Sequence, residues 1–134
     1  MQMNNSTDYK YMIQDMNRIY FGANYTYAEM LEEDEIPMKF KTAIHRIFAK
    51  DIPLTATLAE QLSLVEETQM SYLAYHQLKI KIKVTSLHPT EKGYESKYLT
   101  FDEFMEEEQS KVRAEESFVE EIMIKKLHLM AFSL

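Results

Sequence analysis

The sequence predicts a mainly α-helical domain of the α+β class with one β-hairpin. Apolar residues recur at helical spacing through most of the 134-residue chain, which favours helices. Only two glycines and three prolines occur, fewer than the many turns of a β-sandwich usually require. One stretch, residues 78–84, instead alternates strictly between apolar residues and lysine, the pattern of a half-buried strand. We therefore expect one domain over residues 1–134, with a helix–helix–helix–hairpin centre between two helical arms.

Charge divides the chain into the same three parts. The net charge is −7, but residues 1–35 carry −5, residues 36–101 carry +3 and residues 102–134 carry −5. A basic centre between acidic arms favours a charged partner such as nucleic acid. The alternative is that the acidic arms fold back on the centre and neutralise it, and the sequence leaves both interpretations open.

The acidic N-terminal arm, residues 1–35, contains two helical patterns. Residues 10–20 favour a helix that ends near Gly22, since glycine often follows the last helical turn. Thr26 and Glu29 then have the spacing of a capping box, in which the hydroxyl and the carboxylate each accept a hydrogen bond from a backbone N–H. This spacing predicts a short second helix.

The basic centre opens with three helical patterns. Pro37 suits the first turn of a helix over residues 37–50, because its missing N–H is not needed there. A second capping pattern opens a helix over residues 57–64, and an apolar stripe predicts a third over residues 68–78. One continuous helix over residues 57–78 is the alternative, although a break between the two is favoured.

A β-hairpin is expected across residues 79–101. The first strand carries the alternating lysines, and the turn contains Pro89 and Gly93. The lysines have two interpretations. They protect an exposed sheet edge from unwanted strand pairing, or they contact the phosphates of a nucleic acid.

The acidic C-terminal arm, residues 102–134, is expected to be helical. Thr100 and Glu103 form a third capping pattern. A final helix from about Glu115 carries a wide apolar stripe, and a stripe of this width left exposed would be an interaction patch. We therefore expect self-association through this helix, with the candidate contact residues Phe118, Ile122, Leu129 and Phe132.

No pattern in the sequence supports catalysis or cofactor binding. The chain has no cysteine, and two glycines are too few for the loops that cradle phosphates. The glutamates are abundant, as on solvated helix faces, and none stands alone in an apolar stretch. The histidines lack the spacing from carboxylates that metal sites in helical bundles use; they are His45, His76, His88 and His128. We expect no enzyme and no catalytic residue, cofactor or metal.

The stretch TLAEQLSLVEETQMSYL, followed by the expected hairpin, resembles a winged helix-turn-helix. In that family the second helix of the pair enters the major groove of DNA, and the hairpin forms a wing. The resemblance implies groove-facing side chains at Gln69, Ser71, Tyr72, His76 and Lys79. It implies phosphate contacts from Lys81, Lys83, Lys92 and Lys97. This chain departs from the pattern because it has no arginine in the second helix and a pI of about 5.1.

The function expected from the sequence is non-enzymatic binding of a macromolecule. Protein–protein interaction or regulation is favoured, with a protein partner or a homodimer, because tyrosine and methionine are frequent in contact surfaces. The alternative is a winged-helix DNA-binding protein that uses residues 57–101, and a remote one is an acidic protein that imitates nucleic acid. No small-molecule substrate is evident, and no membrane contact is expected, since no window approaches the ~18 apolar residues of a membrane helix. Cytoplasmic location is the default expectation.

Overall fold

A five-stranded antiparallel sheet dominates the part of the chain that the structure describes. The structure is a computed structural model, and it describes residues 9–48 and 52–130. The strand order is β1-β2-β5-β3-β4. The strands are β1 Met12–Gln14, β2 Arg18–Gly22, β3 Lys81–Ser86, β4 Ser96–Thr100 and β5 Ser117–Lys125. The expectation of a mainly α-helical domain with one hairpin is therefore wrong. The hairpin β3–β4 exists, but it is one margin of a larger sheet.

The helices of the centre lie where the capping and apolar patterns place them. The two patterns in residues 57–78 are separate helices, since five non-helical residues divide them. The helices are α1 Tyr27–Glu32, α2 Met38–Phe48, α3 Leu58–Leu64, α4 Met70–Leu78, α5 Phe101–Glu103, α6 Gln109–Arg113 and α7 Lys126–Met130. A π-helical turn, Phe104–Glu108, joins α5 to α6 in one helical segment.

The capping patterns act as the sequence indicates. Thr26 and Glu29 form a complete capping box at the start of α1, with both reciprocal hydrogen bonds present. Thr100 and Glu103 do the same at the start of α5. At α3 the Thr57 hydroxyl accepts the N–H of Glu60, the forward half of a box. These caps fix where the helices begin, because each satisfies backbone donors that a first turn leaves unpaired.

Both arms contribute strands where helices were expected. Residues 10–20 hold β1 and part of β2. The segment expected to be a helix from Glu115 is β5 up to Lys125, and it is helical only at α7, Lys126–Met130. β5 lies in the middle of the sheet, between β2 and β3. The apolar residues of β5 have helical spacing, but its backbone forms hydrogen bonds with both neighbouring strands. This long-range pairing determines its conformation.

The lysine-rich stretch is neither a sheet edge nor a wing. Leu78 ends α4, and Lys79 follows it in the left-handed conformation, with φ of 51° and ψ of 44°. From Lys81 onward the chain is β3, which pairs with β4 on one side and with β5 on the other. The winged-helix-like centre is therefore wrong as well, since a wing projects from its domain and β3 is internal to the sheet.

The helices cover one face of the sheet. Side chains from this face and from the helices form a single apolar core. Among its largest fully buried side chains are Ile19, Met30, Ile44, Leu62, Tyr75, Leu78, Ile82, Phe104 and Ile122. Along each strand, alternate residues point into this core and away from it. The opposite face receives no core side chain from the described helices.

The arms fold back on the basic centre, which was one of the two interpretations of the charge pattern. Glu120 of the C-terminal arm lies 2.6 Å from the ammonium group of Lys83. Glu108 of the same arm lies 3.1 Å from the ammonium group of Lys97. Part of the basic centre is thus neutralised within the fold. Within residues 9–48 and 52–130, every helix is too short or too polar to cross a membrane.

Candidate binding surface

The side of the sheet opposite the helices forms a continuous polar and aromatic surface, which we call the open face. Strand alternation and the pairing register place its members on the side of the sheet away from the core. Its members are Tyr11, Ile13, Arg18, Tyr20, Lys81, Lys83, Tyr98, Glu121, Met123 and Lys125. Several of them surround a shallow depression of about 410 Å³ that is lined by Arg18, Tyr20, Lys81, Lys83, Tyr98, Glu121 and Met123.

Two tyrosines give the open face flat apolar surface. Tyr98 on β4 is 65% exposed, an unusual degree of exposure for an aromatic side chain in a sheet. The ammonium group of Lys83 lies 5.7 Å from the centre of its ring. Tyr20 on β2 is half-buried. Between the two tyrosines in the strand order stand β5 and β3, so the rings lie on opposite sides of the depression.

Basic side chains dominate the charge of the open face. Arg18 and Lys125 lie directly opposite each other on β2 and β5, and both are exposed. Like charges at directly opposed positions destabilise a sheet. Lys81 is exposed on β3, with Met123 and Thr100 as its neighbours. Arg18, Lys81 and Lys125 form no salt bridge among the described residues.

The two carboxylates of this region are already engaged. Glu120 forms an ion pair with Lys83 and accepts a hydrogen bond of 2.8 Å from the Thr85 hydroxyl. The hydrogen bond to Glu120 raises the pKa of Lys83. Glu121 accepts a 2.6 Å hydrogen bond from the Tyr11 hydroxyl. Burial and then this bond raise the pKa of Tyr11. With Glu120 paired to Lys83, the remaining charges of this region are Arg18, Lys81 and Lys125 against Glu121, which is a net positive charge.

A β-bulge accounts for this arrangement. The register between β3 and β5 shifts at Lys83 and Val84, so that one extra residue of β5 is accommodated. Lys83 pairs with Glu121, and Val84 pairs with Val119. Glu120 is the extra residue, and its carboxylate reaches Lys83 and Thr85 of β3.

The structure separates the residues that the winged-helix resemblance implied. Lys81 and Lys83 lie on the open face, whereas α4 packs against the other side of the sheet through Tyr75 and Leu78. The residues of and around α4 are therefore on the far side from the lysines; they are Gln69, Ser71, Tyr72, His76 and Lys79.

Several of the α4 residues have partners within the fold. The ring of Tyr72 contacts that of Phe101 at a centroid distance of 5.2 Å. His76 Nδ1 lies 3.0 Å from an Asp102 carboxylate oxygen.

The two remaining lysines implied by the resemblance lie in the hairpin. Lys97 is bound to Glu108, and Lys92 is exposed in the loop between β3 and β4. No single surface unites the nine residues.

The candidate self-association residues lie mostly inside the fold. Ile122 is 1% exposed and Leu129 is 0% exposed, so both belong to the core. Phe118 is half-buried, with its ring 5.5 Å from that of Tyr9. Phe132 lies outside the described residues. Self-association stays a prediction, and any surface for it has to be built from other side chains.

Sequence reasoning missed four prominent members of the open face: Arg18, Tyr20, Tyr98 and Lys125. The signal was available for β2, where RIYFG places Arg18 and Tyr20 on one side and Ile19 and Phe21 on the other. Their meeting with Lys81 and Tyr98 depends on the pairing of strands from distant parts of the chain. Spacing along one sequence does not reveal such pairing.

Comparison with known protein families and with curated proteins gave no match. Within residues 9–48 and 52–130, no group of three or more histidine, aspartate or glutamate side chains is arranged to hold a metal ion. The candidate surface is therefore interpreted from its own geometry and charge.

Proposed function

We propose that this chain is a non-enzymatic binding protein that holds single-stranded nucleic acid on its open face. The observation that carries the proposal is the combination of the exposed Tyr98 ring and the half-buried Tyr20 ring with basic side chains that form no salt bridge within residues 9–48 and 52–130. Base–aromatic stacking contributes about 1–3 kcal/mol per base, and basic side chains track the phosphates. The open face presents both kinds of contact on one rigid element.

The charge arrangement supports an anionic partner. Arg18 and Lys125 repel each other across β2 and β5 when no partner is bound. A phosphate group placed over them would remove this repulsion, because it would accept hydrogen bonds from both. Lys81 extends the positive surface toward β4, so a chain of phosphates has successive contacts.

The shape of the open face suits a single strand better than a duplex. The described part of the open face offers a broad surface with a shallow depression, not a helix or ribbon that could enter a major groove. Bases of a single strand are free to stack on Tyr20 and Tyr98, whereas those of a duplex are not. The overall charge of −7 also disfavours a long duplex, which would extend beyond the basic surface onto acidic ones.

The test is a binding titration of labelled single-stranded RNA and DNA followed by fluorescence anisotropy at several salt concentrations. Tyr98→Ala should weaken binding by roughly tenfold through lost stacking. Lys81→Ala should reduce the slope of log K against log salt by about 0.7 for the lost phosphate contact. Lys81 suits this purpose better than Lys83, because replacing Lys83 would also leave Glu120 without its ion pair.

Lys39→Ala is the matched control, since Lys39 is an exposed lysine of α2 and is not a member of the open face. It should leave both the affinity and the salt slope unchanged. Absence of binding at low salt would contradict the proposal. So would equal affinity for duplex and single strand with no loss in Tyr98→Ala, which would indicate purely electrostatic contact.

A second candidate function, protein binding by self-association, is favoured by a group of exposed apolar side chains that adjoins the open face. Met16 is 92% exposed, Leu127 is 78% exposed and Met130 is 41% exposed. These side chains and Phe40 line one depression of about 560 Å³ at the end of the sheet. We call this group the apolar patch. Clustered exposed apolar side chains are typical of protein interaction sites.

A further inference from the structure

A cleft on the helical side of the sheet contains a buried cluster of charges that the open face does not use. It has a volume of about 330 Å³ and lies between the ends of β3, β4 and β5 and the start of α6. At its centre the carboxylate oxygen Oε2 of Glu108 is 3.1 Å from the Lys97 ammonium group and 3.2 Å from that of Lys111. The Glu108 side chain is 4% exposed, whereas both lysines are about half exposed.

The two lysines are held in place by one carboxylate. A buried carboxylate is stable only when it is paired, so Glu108 is fixed by its two ammonium partners and fixes them in turn. Lys97 and Lys111 both face Glu108, while Glu95 and Glu116 carry their charges on exposed side chains at the border of the cleft. Each ammonium group has three donors and contacts Glu108 Oε2 as an ion pair without hydrogen-bond geometry, so donors of both lysines remain for another acceptor. The cluster can therefore accept a further anion.

Ser117 supplies an independent sign of a ligand. Its side chain lines the same cleft and is 5% exposed, and its hydroxyl Oγ has no hydrogen-bond partner among the residues that the structure describes. Leaving a buried hydroxyl without a partner costs about 1–3 kcal/mol, so such groups are rare and call for an explanation. A bound molecule that accepts the Ser117 O–H would satisfy it.

The surroundings limit what can bind. Ser86 Oγ accepts the His88 N–H at 3.1 Å, which shapes the rim. Glu95 and Glu116 also border the cleft with exposed side chains, and their carbonyl groups accept backbone hydrogen bonds from Ser86 and Leu87. Their negative charges disfavour a large or multiply charged anion. The site suits a small molecule with one compact oxyanion group.

We propose that this cleft binds a small molecule through an oxyanion, a carboxylate or a phosphate, on Lys97 and Lys111. The Ser117 hydroxyl donates a hydrogen bond to the same group. Glu108 is a positioning residue that holds the two ammonium groups together. The cleft lies on the opposite side of the sheet from the open face, so this site is independent of nucleic-acid binding.

The experiment is a titration of the ¹⁵N-labelled full chain with orthophosphate and, separately, with acetate, at constant ionic strength maintained with sodium chloride. Saturable shifts of the backbone amides of Lys97, Glu108 and Ser117 are expected with at least one of the two probes. The preferred probe distinguishes a phosphate ligand from a carboxylate ligand. Shifts that increase linearly without saturation for both probes would overturn the proposal.

Ser117→Ala separates a ligand-binding hydroxyl from a structural one. It should weaken probe binding about tenfold, the loss expected for one hydrogen bond to a charged group. Without probe it should resist urea at least as well as the parent chain, because an unpaired buried hydroxyl is removed. Ser110→Ala, at an exposed position of α6, is the control and should change neither measurement.

Lys97→Met keeps the proposal testable if Ser117→Ala does not fold, since Lys97 is half exposed at the sheet edge. It should also weaken binding of the probe. Binding that is unchanged in both Ser117→Ala and Lys97→Met would show that the probe binds elsewhere.

Discussion

Gly22 illustrates how one residue admits an aromatic side chain to the open face. It lies at the end of β2, opposite Glu121 of β5. A Cβ atom there would be 2.1 Å from the Tyr9 carbonyl oxygen and 2.8 Å from Cε2 of Tyr11. The missing side chain lets the Tyr11 ring pass close to the β2 backbone and donate its hydroxyl hydrogen to Glu121. Aromatic rings often cover strand glycines in this way.

Gly22→Ala should therefore lower the free energy of unfolding by about 2–3 kcal/mol, because the Tyr9 backbone and the Tyr11 ring must both move. Urea unfolding followed by circular dichroism measures this loss. Gly93→Ala is the matched control: its φ is 101°, but no atom of the described residues lies within 4 Å of the added Cβ. It should cost about 1 kcal/mol from backbone strain alone. Equal losses in the two variants would refute the crowding argument at Gly22.

At the scale of the element, local signals identified the helices and failed for three of the strands. Capping residues and an apolar stripe lie within the helix they define, so α1 to α4 were readable from the sequence. The β3–β4 hairpin was readable for the same reason, since its strands are consecutive. β1, β2 and β5 owe their conformation to pairing between residues 12–22 and 117–125, which local spacing does not encode.

β5 was misread for a specific physical reason. In a regular strand, buried residues alternate, but the bulge inserts Glu120 as an extra residue between buried Val119 and buried Ile122. The bulge breaks the period of two at that point, and the apolar residues Phe118 and Ile122, which are four apart, were interpreted as one side of a helix. The consecutive acids Glu120 and Glu121, which look like a solvated helix face, instead contact Lys83 and Tyr11 across the sheet.

The π-helical turn, Phe104–Glu108, also has a structural consequence. It precedes two consecutive buried polar residues, Glu108 and Gln109. Gln109 Nε2 donates hydrogen bonds to the carbonyl oxygens of Leu62, at 3.0 Å, and Val65, at 2.7 Å. These carbonyls lie at the C-terminal end of α3, where a helix leaves its acceptors unpaired. Gln109 thus fastens α3 to the segment that leads into β5.

Gln109→Leu should lower the free energy of unfolding by about 2–3 kcal/mol, since it keeps the side chain's bulk but leaves buried carbonyls without these donors. Urea unfolding provides the measurement. Gln77→Leu, at an exposed position of α4, should change stability by less than about 0.5 kcal/mol. Gln109→Leu could instead be as stable as this control. The hydrogen bonds that Arg113 donates to the carbonyl oxygens of Ser63 and Val65 would then be sufficient at the end of α3.

At the scale of the whole molecule, the fold separates charges that the sequence mixes. The three charge segments suggested a basic centre and two acidic arms, but the arms and the centre share one sheet. Lys83 and Lys97, which are close in sequence, lie on opposite sides of that sheet and are bound to different glutamates. Arg18 of the N-terminal arm and Lys125 of the C-terminal arm meet instead. The net charge of a segment therefore does not predict the charge of a surface.

The two proposed macromolecular surfaces adjoin each other, which gives self-association a possible role in nucleic-acid binding. Arg18 and Lys125 of the open face also border the apolar patch. A dimer formed through the patch would bring two sets of basic side chains near its interface. Such a dimer could hold a longer single strand than one chain, because linked sites act at a high effective concentration.

Leu127→Asp tests this arrangement. The substitution replaces an apolar contact side chain with a hydrated carboxylate that would have to lose its water in the interface, so it should shift the chain from dimer to monomer in sedimentation velocity. Leu127 is chosen over Leu129 because Leu127 is 78% exposed, whereas Leu129 is 0% exposed and its replacement would disrupt the core. Leu64→Asp is the matched control, since Leu64 is 63% exposed on α3 and outside the patch.

A parent chain that is monomeric at every concentration, or a dimer unaffected by Leu127→Asp, would exclude the patch as a dimer interface. Nucleic-acid affinity measured on the same variant then separates the two surfaces, since a short oligonucleotide should bind monomer and dimer equally well.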